Sequence, residues 1–107
     1  MSSEHCLVFS SCPDIEVAER LAHMLVESKL AACVNILPGV TSIYRWNETL
    51  EKSSECLLLI KTTRTAYQSL EAALREKHPY ELPEIVIVPM DHGLPSYLRR
   101  ITKCVAS

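Results

Sequence analysis

The sequence predicts an α+β fold in which helices cover one face of an antiparallel β-sheet. Apolar runs of strand length alternate along the chain with segments whose apolar residues recur at helical spacing. The length of 107 residues suits one hydrophobic core. The chain also shows no repeat, low-complexity tract or linker. We therefore expect a single domain that covers residues 1–107.

A strand followed by a helix opens the chain. The run "CLVFSS" (6–11) is apolar and of strand length. Pro13 suits the first turn of a helix, where Asp14 complements the helix dipole. The apolar residues of "DIEVAERLAHMLVESKL" (14–30) then recur at helical spacing, which places His23 on the solvent face.

The middle of the chain predicts two strands. The β-rich runs "ACVNIL" (32–37) and "VTSIYRW" (40–46) are separated only by a Pro-Gly pair. Because the negative φ of proline conflicts with the turns that tight hairpins prefer, we expect one long strand bent by a bulge rather than a hairpin. The polar segment "NETLEKSSE" (47–55) is expected to be a connection, and "CLLLIKTT" (56–63) the returning strand.

Two helices and a strand are predicted in the last third of the chain. The helices are expected at 65–77 and 95–104, with the strand "EIVIVPM" (84–90) between them. The helical residues expected to face inward are Tyr67, Leu70, Leu74, Tyr97, Leu98 and Ile101. The order β-α-β-β-α-β with a further C-terminal helix is that of the ferredoxin-like split βαβ motif.

Two predicted strands are apolar on both faces. In an antiparallel sheet with helices on one side, the other side is commonly wet, and its strands then alternate apolar with polar residues. The runs "CLLLI" (56–60) and "IVIV" (85–88) do not alternate in this way. Because so large an apolar face is unusual on a monomer, the sequence predicts an obligate oligomer.

Composition excludes several classes of partner. The net charge of −2, with Lys and Arg scattered among Asp and Glu, gives no electrostatic footprint for nucleic acid. No apolar run approaches the roughly 20 residues of a membrane-spanning helix, and "MSSEHCLVFSS" (1–11) lacks a secretory signal. We therefore expect a cytoplasmic protein without nucleic-acid or membrane partners.

The five cysteines also indicate a reducing compartment. They are odd in number, widely spaced and without a Cys-x-x-Cys unit. Cys6, Cys33 and Cys56 lie in apolar runs, where cysteine behaves as a small buried hydrophobe. Cys12 is the exception, since it precedes a proline at an expected helix start, where its thiol could be partly deprotonated.

Four segments together resemble the CutA family of divalent-cation tolerance proteins. They are "KLAACVNILPGVTSIYRWN" (29–47), "LLLIKTT" (57–63), "HPYELPEIVIVP" (78–89) and "HGLPSYLRRI" (92–101). The resemblance implies a ferredoxin-like subunit in a tight homotrimer, similar to the nitrogen-regulatory PII proteins. It also implies a cytoplasmic location and a role in tolerance to copper and other divalent metals.

The resemblance implies a metal site near the Pro-Tyr pair. His78 matches a family histidine, whereas Lys77 stands where some relatives have a second one. The family's strand cysteine falls at Ser10, and Cys12 is the only nearby thiol. Since imidazole and thiolate suit copper, we expect weak Cu²⁺ binding in which His78 is the main ligand and Cys12 or Glu81 completes the site. The alternative is structural, with His78 ending a helix and Cys12 filling a cap position.

A second group of residues predicts a pocket between subunits. Its members are Tyr44, Trp46, Lys61, Tyr80 and Glu84. Two interpretations stay open. The group either forms an aromatic-walled pocket with one cation, able to hold a small anion, or Trp46 fills the core or an interface while Lys61 pairs with Glu84 or Glu81.

Other functions find less support in the sequence. There is no Ser-His-Asp ordering, phosphate loop or His-Glu-x-x-His helix, so we do not expect an enzyme. An RNA-binding module on this fold would need stacking aromatics on its central strands, whereas 56–60 offers only aliphatic residues and a cysteine. The alternative to a metal-binding protein is a PII-like trimeric sensor with a small anionic ligand in the cleft between subunits.

Overall fold

The computed structural model describes residues 4–106, and these form four strands and three helices in the predicted order. Residues 1–3 and 107 of the predicted domain lie outside the described residues. The elements are β1 (His5–Cys12), α1 (Ile15–Glu27), β2 (Cys33–Trp46), β3 (Thr49–Thr63), α2 (Tyr67–Lys77), β4 (Val86–Pro89) and α3 (Pro95–Cys104). The prediction of a ferredoxin-like β-α-β-β-α-β arrangement with a closing helix is confirmed.

The four strands form one antiparallel sheet in the order β2-β3-β1-β4. α1 and α2 pack on one face of it, because alternate residues of β1 and β3 are apolar and buried on that side. The core consists of Val8, Cys12, Ala18, Leu21, Leu25, Ala31, Cys56, Leu58, Ile60, Leu70 and Leu74. α3 closes a smaller cluster through Ile101, which packs with Ala66 and Val105. Within residues 4–106, no helix has both the length and the apolar character needed to cross a membrane.

β2 is the single bent strand that the sequence predicts. Its pairing with β3 shifts register between Leu37 and Val40, where the Pro-Gly pair forms a bulge. Gly39 adopts a φ of +72°, a value that glycine takes without a steric cost. The preference for a bent strand over a hairpin at this position is confirmed.

The hairpin lies further along the chain, and the prediction of a polar connection over 47–55 is wrong. β3 begins at Thr49, which pairs with Trp46 across a two-residue turn. Asn47 and Glu48 have φ values of 49° and 67°, the positive pair that tight hairpin turns require. Since β1 pairs with β3 only as far as Cys56, residues 40–55 extend beyond the rest of the sheet. We call this segment the hairpin arm.

The first helix is shorter than the predicted segment. Its N-cap is Asp14, whose carboxylate accepts a hydrogen bond from the Val17 amide at 2.9 Å, so Pro13 precedes the helix instead of lying in its first turn. The helix ends at Glu27 because Lys29 turns the backbone with a φ of 62°. His23 lies on the exposed side, as expected.

Further differences concern exposure and element ends. Tyr97 was expected to face inward from α3, yet its side chain is exposed while Leu98 and Ile101 pack into the small cluster. The second helix begins at Tyr67 instead of residue 65, and the last strand is limited to Val86–Pro89. These differences leave the order of elements unchanged.

The second face of the sheet is apolar, as the sequence predicts. We call it the outer face, and its apolar residues are Leu7, Phe9, Leu37, Leu57, Leu59, Val86 and Val88. Leu37, Val86 and Val88 are exposed, and the others are partly exposed. The single chain therefore leaves an apolar sheet surface in contact with water.

Candidate functional site

A cleft of about 830 Å³ opens between the hairpin arm and the α2–β4 connection. We call residues 78–85 of that connection the connecting loop. The cleft is lined by Ser11, Ser42, Ile43, Tyr44, Trp46, Glu51, Ser53, Glu55, Pro79, Tyr80, Glu81, Leu82 and Glu84. Aromatic rings and carboxylates therefore face the same open space.

His78 fixes the base of the connecting loop. It ends α2 with an extended backbone, as expected of a residue before proline. Its Nε2–H donates to the Ser11 carbonyl oxygen at 2.8 Å, and its Nδ1 accepts from the Tyr80 amide at 3.1 Å. A carbonyl can only accept and an amide can only donate, so the buried ring is the neutral Nε2–H tautomer. Both ring nitrogens are therefore occupied by hydrogen bonds that join the loop to β1.

Tyr80 joins the connecting loop to the hairpin arm. Its hydroxyl donates to Oε2 of Glu55 at 2.7 Å, and its ring lies 4.8 Å from that of His78 between centroids. Burial and then the hydrogen bond to the Glu55 carboxylate raise the pKa of Tyr80 above its ordinary value. The phenol therefore remains a hydrogen-bond donor to the carboxylate at physiological pH.

The cleft carries excess negative charge. Its described lining includes four glutamates, residues 51, 55, 81 and 84, and no Lys or Arg. Glu55 accepts from Tyr80, and Oε1 of Glu84 accepts from the Ser11 hydroxyl at 3.5 Å. Glu81 is exposed at the mouth of the cleft. A cleft with this charge attracts cations and repels small anions.

The structure brings together four of the five residues predicted for a pocket. Tyr44, Trp46, Tyr80 and Glu84 all line the cleft. Lys61 does not line it and does not pair with Glu84 or Glu81 as expected. Its ammonium donates instead to the side-chain oxygen of Asn35, a diagonal neighbour across β2 and β3 on the outer face.

The predicted metal ligands do not form a metal site in the single chain. His78 has no free ring nitrogen, and Cys12 lies in the core at the end of β1. Burial, then the neighbouring Cys56 and the carboxylates of Asp14 and Glu55, raise the pKa of Cys12 to about 11. Within residues 4–106, no three His, Cys, Asp or Glu side chains converge closely enough to hold a metal ion.

The expectation of a partly deprotonated Cys12 is therefore corrected. Cys12 belongs to β1, and α1 begins only at Ile15, so the thiol is within the sheet rather than at the helix N-terminus. Its Sγ–H donates to the Asp14 carbonyl oxygen at 3.8 Å. The ligand set of His78, Cys12 and Glu81 stays a prediction, and metal binding by His78 would require loss of one of its hydrogen bonds.

Sequence reasoning missed the part of the cleft that β3 contributes. Glu51, Ser53 and Glu55 line one side of it, whereas the sequence predicts a polar connection for all three. They alternate along the strand, so their side chains share a face. That alternation is visible in the sequence once 49–55 is recognised as a strand.

Comparison with known proteins gives one consistent result. The family model of the CutA1 divalent ion tolerance protein matches residues 6–104. The divalent-cation tolerance protein CutA of Thermus thermophilus is 48% identical over 92 residues, which is 86% of this chain and 89% of that protein. Protein CutA of Mus musculus is 40% identical over 99 residues, or 92% of this chain. The aligned region spans only 56% of the mouse protein.

Solved structures agree in fold. The Cut A1 protein from Thermus thermophilus superimposes with a TM-score of 0.93 at 43% identity, covering 95% of this chain and 99% of that one. A CutA structure from Archaeoglobus fulgidus has a TM-score of 0.92 at 33% identity, with coverage of 95% and 99%. The Archaeoglobus protein is described as a periplasmic divalent cation tolerance protein.

Proposed function

The chain belongs to the CutA1 divalent ion tolerance protein family, and on that premise we propose that it acts as a homotrimer whose acidic clefts bind divalent cations weakly. The observation that carries the cation proposal is the cleft lining, with four glutamates and no Lys or Arg among its described residues. Since no preformed set of metal ligands is present within residues 4–106, the attraction comes from summed negative charge.

The outer face supports the proposal of a trimer. It exposes apolar residues of all four strands, including Leu37 of β2 and Val88 of β4. Each Å² of apolar surface removed from water contributes about 25 cal/mol, so association through this face is favourable. A closed ring of three copies covers the face on every subunit.

The hairpin arm supplies the second part of the proposed interface. Ile43, Trp46 and Leu50 are exposed on it, and the arm extends beyond the sheet of its own subunit. Tryptophan is among the residues that contribute most at protein interfaces. We place the arm against a neighbouring subunit. The cleft beside the arm then lies at or near the boundary between subunits.

Trp46→Ala is expected to weaken this assembly. The Trp46 side chain is 56% exposed in the single chain, so its truncation costs little within one subunit. At an interface the truncation weakens association by about 2 kcal/mol per subunit. Because unfolding is linked to dissociation, the thermal midpoint then becomes lower and depends more steeply on protein concentration. Thermal unfolding over a range of micromolar concentrations measures both effects.

Ile15→Ala is the matched control, because Ile15 is an exposed apolar residue of α1 and belongs neither to the hairpin arm nor to the outer face. It should leave the concentration dependence unchanged. A Trp46→Ala protein that behaves like Ile15→Ala would place Trp46 outside the interface.

Binding of a divalent cation tests the cleft directly. Glu81→Gln removes an exposed carboxylate at the mouth. Two unit charges ~4 Å apart interact by about 1 kcal/mol in water, so a carboxylate and a divalent ion interact by about 2 kcal/mol. We therefore expect Mn²⁺ and Cu²⁺ affinity to fall about 30-fold in calorimetric titration. Glu19→Gln, an exposed position on α1, should have no effect.

The ligand set predicted from the sequence gives a different result in the same titration. With His78 as the main ligand, His78→Ala abolishes Cu²⁺ binding, whereas the affinity for Mn²⁺, which prefers oxygen ligands, falls much less. If the native and Glu81→Gln proteins bind Mn²⁺ with the same affinity, and likewise Cu²⁺, binding at the cleft mouth is refuted.

The alternative of a small anionic ligand has less support from the structure than the cation proposal. An anionic ligand, as in a PII-like sensor, is not favoured by a lining that lacks Lys and Arg among its described residues, with Lys61 bonded to Asn35 instead. The prediction of a cytoplasmic location rests on the cysteine pattern, whereas the Archaeoglobus relative is described as periplasmic. The absence of an enzymatic activity agrees with a family described by ion tolerance and not by a reaction.

A further inference from the structure

Two cysteines lie directly opposite each other beneath the cleft. Cys12 is the last residue of β1, and it pairs with Cys56 of β3 in the antiparallel ladder. Both side chains point into the core between the sheet and the helices. Cys12 is fully buried and Cys56 is 4% exposed.

The spacing of this pair suits a covalent bond. Directly opposed residues of an antiparallel pair have Cα atoms about 4.5–5.5 Å apart, and disulfides span Cα separations of about 4.4–6.8 Å. The other strand cysteines face different residues: Cys6 lies opposite Thr62 and Pro89, and Cys33 opposite Lys61. Among the described residues, only Cys12 and Cys56 are cysteines in register.

We propose that Cys12 and Cys56 form a reversible disulfide, which makes this strand pair a redox-sensitive modification site next to the cleft residues Ser11 and Glu55. The oxidant is a low-molecular-weight disulfide. The Cys56 thiolate attacks one sulfur of the oxidant and releases a first small thiol. Cys12 then attacks the Cys56 sulfur of the mixed disulfide and releases the second. Two electrons pass to the oxidant, and the two protein thiol protons go to the released thiolates.

The environment favours a neutral product. Burial, then the neighbouring Cys56 and the carboxylates of Asp14 and Glu55, raise the pKa of Cys12, so an uncompensated thiolate is disfavoured at this position. A disulfide carries no charge and needs no desolvation of an anion. Ser10, two residues before Cys12 on the same face, holds a buried hydroxyl without a hydrogen-bond partner among the described residues.

Oxidation of this pair would act on the cleft through adjacent residues. Ser11 precedes Cys12, and its carbonyl oxygen holds His78. Glu55 precedes Cys56, and its carboxylate holds Tyr80. A bond between the two sulfurs would fix β1 to β3 at the point where the hairpin arm leaves the sheet. The cleft would therefore change when the pair is oxidised, and Trp46 in its lining reports the change by fluorescence.

The test is exposure of the folded native protein to oxidised glutathione, followed by non-reducing peptide mapping. We expect a Cys12–Cys56 cross-linked peptide, loss of two hydrogen atoms from the cross-linked chain, and a shift of Trp46 emission that a reductant reverses. The exposed Cys104 serves as an internal control, since it should carry a glutathione adduct under the same conditions. Cys104→Ser should keep the cross-link, whereas Cys12→Ala should leave Cys56 as a mixed disulfide.

Two results would overturn the proposal. The first is retention of both thiols of the native protein when Cys104 is fully modified. The second is cross-linking spread over other pairs, such as Cys6 with Cys33, because mixed pairing indicates oxidation of an unfolded chain. Both measurements come from the native protein and remain valid if a cysteine variant fails to fold.

Discussion

Val88→Asp is expected to prevent assembly of the proposed trimer. Val88 is 39% exposed in the single chain and lies opposite Leu7 on the outer face. In a separated chain the new carboxylate remains hydrated, so the substitution adds no burial cost there. In a trimer built on this face the charge would be buried among apolar side chains, at a cost of several kcal/mol. Symmetry places that cost at every interface of the ring.

Sedimentation at micromolar concentration measures the result, with circular dichroism as a check on folding. Val26→Asp is a matched control, since Val26 is 42% exposed but lies on α1, on the opposite side of the sheet. We expect a mass of three chains for native protein and Val26→Asp, and of one chain for Val88→Asp. A native protein that sediments as a folded monomer would contradict the trimer, and a trimeric Val88→Asp would place the interface elsewhere.

The order of elements was predictable because burial imposes a period on the sequence. Leu70 and Leu74 of α2, like Leu58 and Ile60 of β3, face the core and are apolar for that reason. The bulge was predictable from the backbone limits of proline and glycine. These signals are local, so a single sequence suffices to recognise them.

The hairpin arm was not predictable by the same means. Residues 49–55 have no core side, so burial imposes no apolar alternation on them. Their strand conformation depends on the turn at Asn47 and Glu48, where both residues adopt positive φ. Asn is a common residue in such a turn, but Glu is not. The sequence therefore resembles a polar loop where the structure has a strand.

The candidate site was predicted in part for a related reason. Tyr80 and Glu84 lie close together in sequence, and the short loop brings both to the cleft. Lys61 was misplaced because its position along β3 puts it on the outer face beside Leu59 and Asn35. The hydrogen bond from His78 to a backbone carbonyl could not be predicted. Every residue has such a carbonyl, so this acceptor does not depend on residue type.

His78→Ala is expected to lower the free energy of unfolding by about 2–4 kcal/mol. The substitution leaves the Ser11 carbonyl oxygen and the Tyr80 amide without their present partner, and an unsatisfied buried polar group costs about 1–3 kcal/mol. It also opens a cavity where the buried imidazole contacts the Tyr80 ring. The connecting loop should then detach from β1, which moves one wall of the cleft.

Urea unfolding of native and variant proteins at the same protein concentration measures this loss, with tryptophan fluorescence as the probe. His23→Ala is the control, because His23 is exposed on α1 and surface substitutions change stability by about 0.5 kcal/mol or less. A His78→Ala protein as stable as His23→Ala would show that the two hydrogen bonds contribute little. The imidazole would then be free at small cost to bind a cation, which is the role that the family resemblance implies.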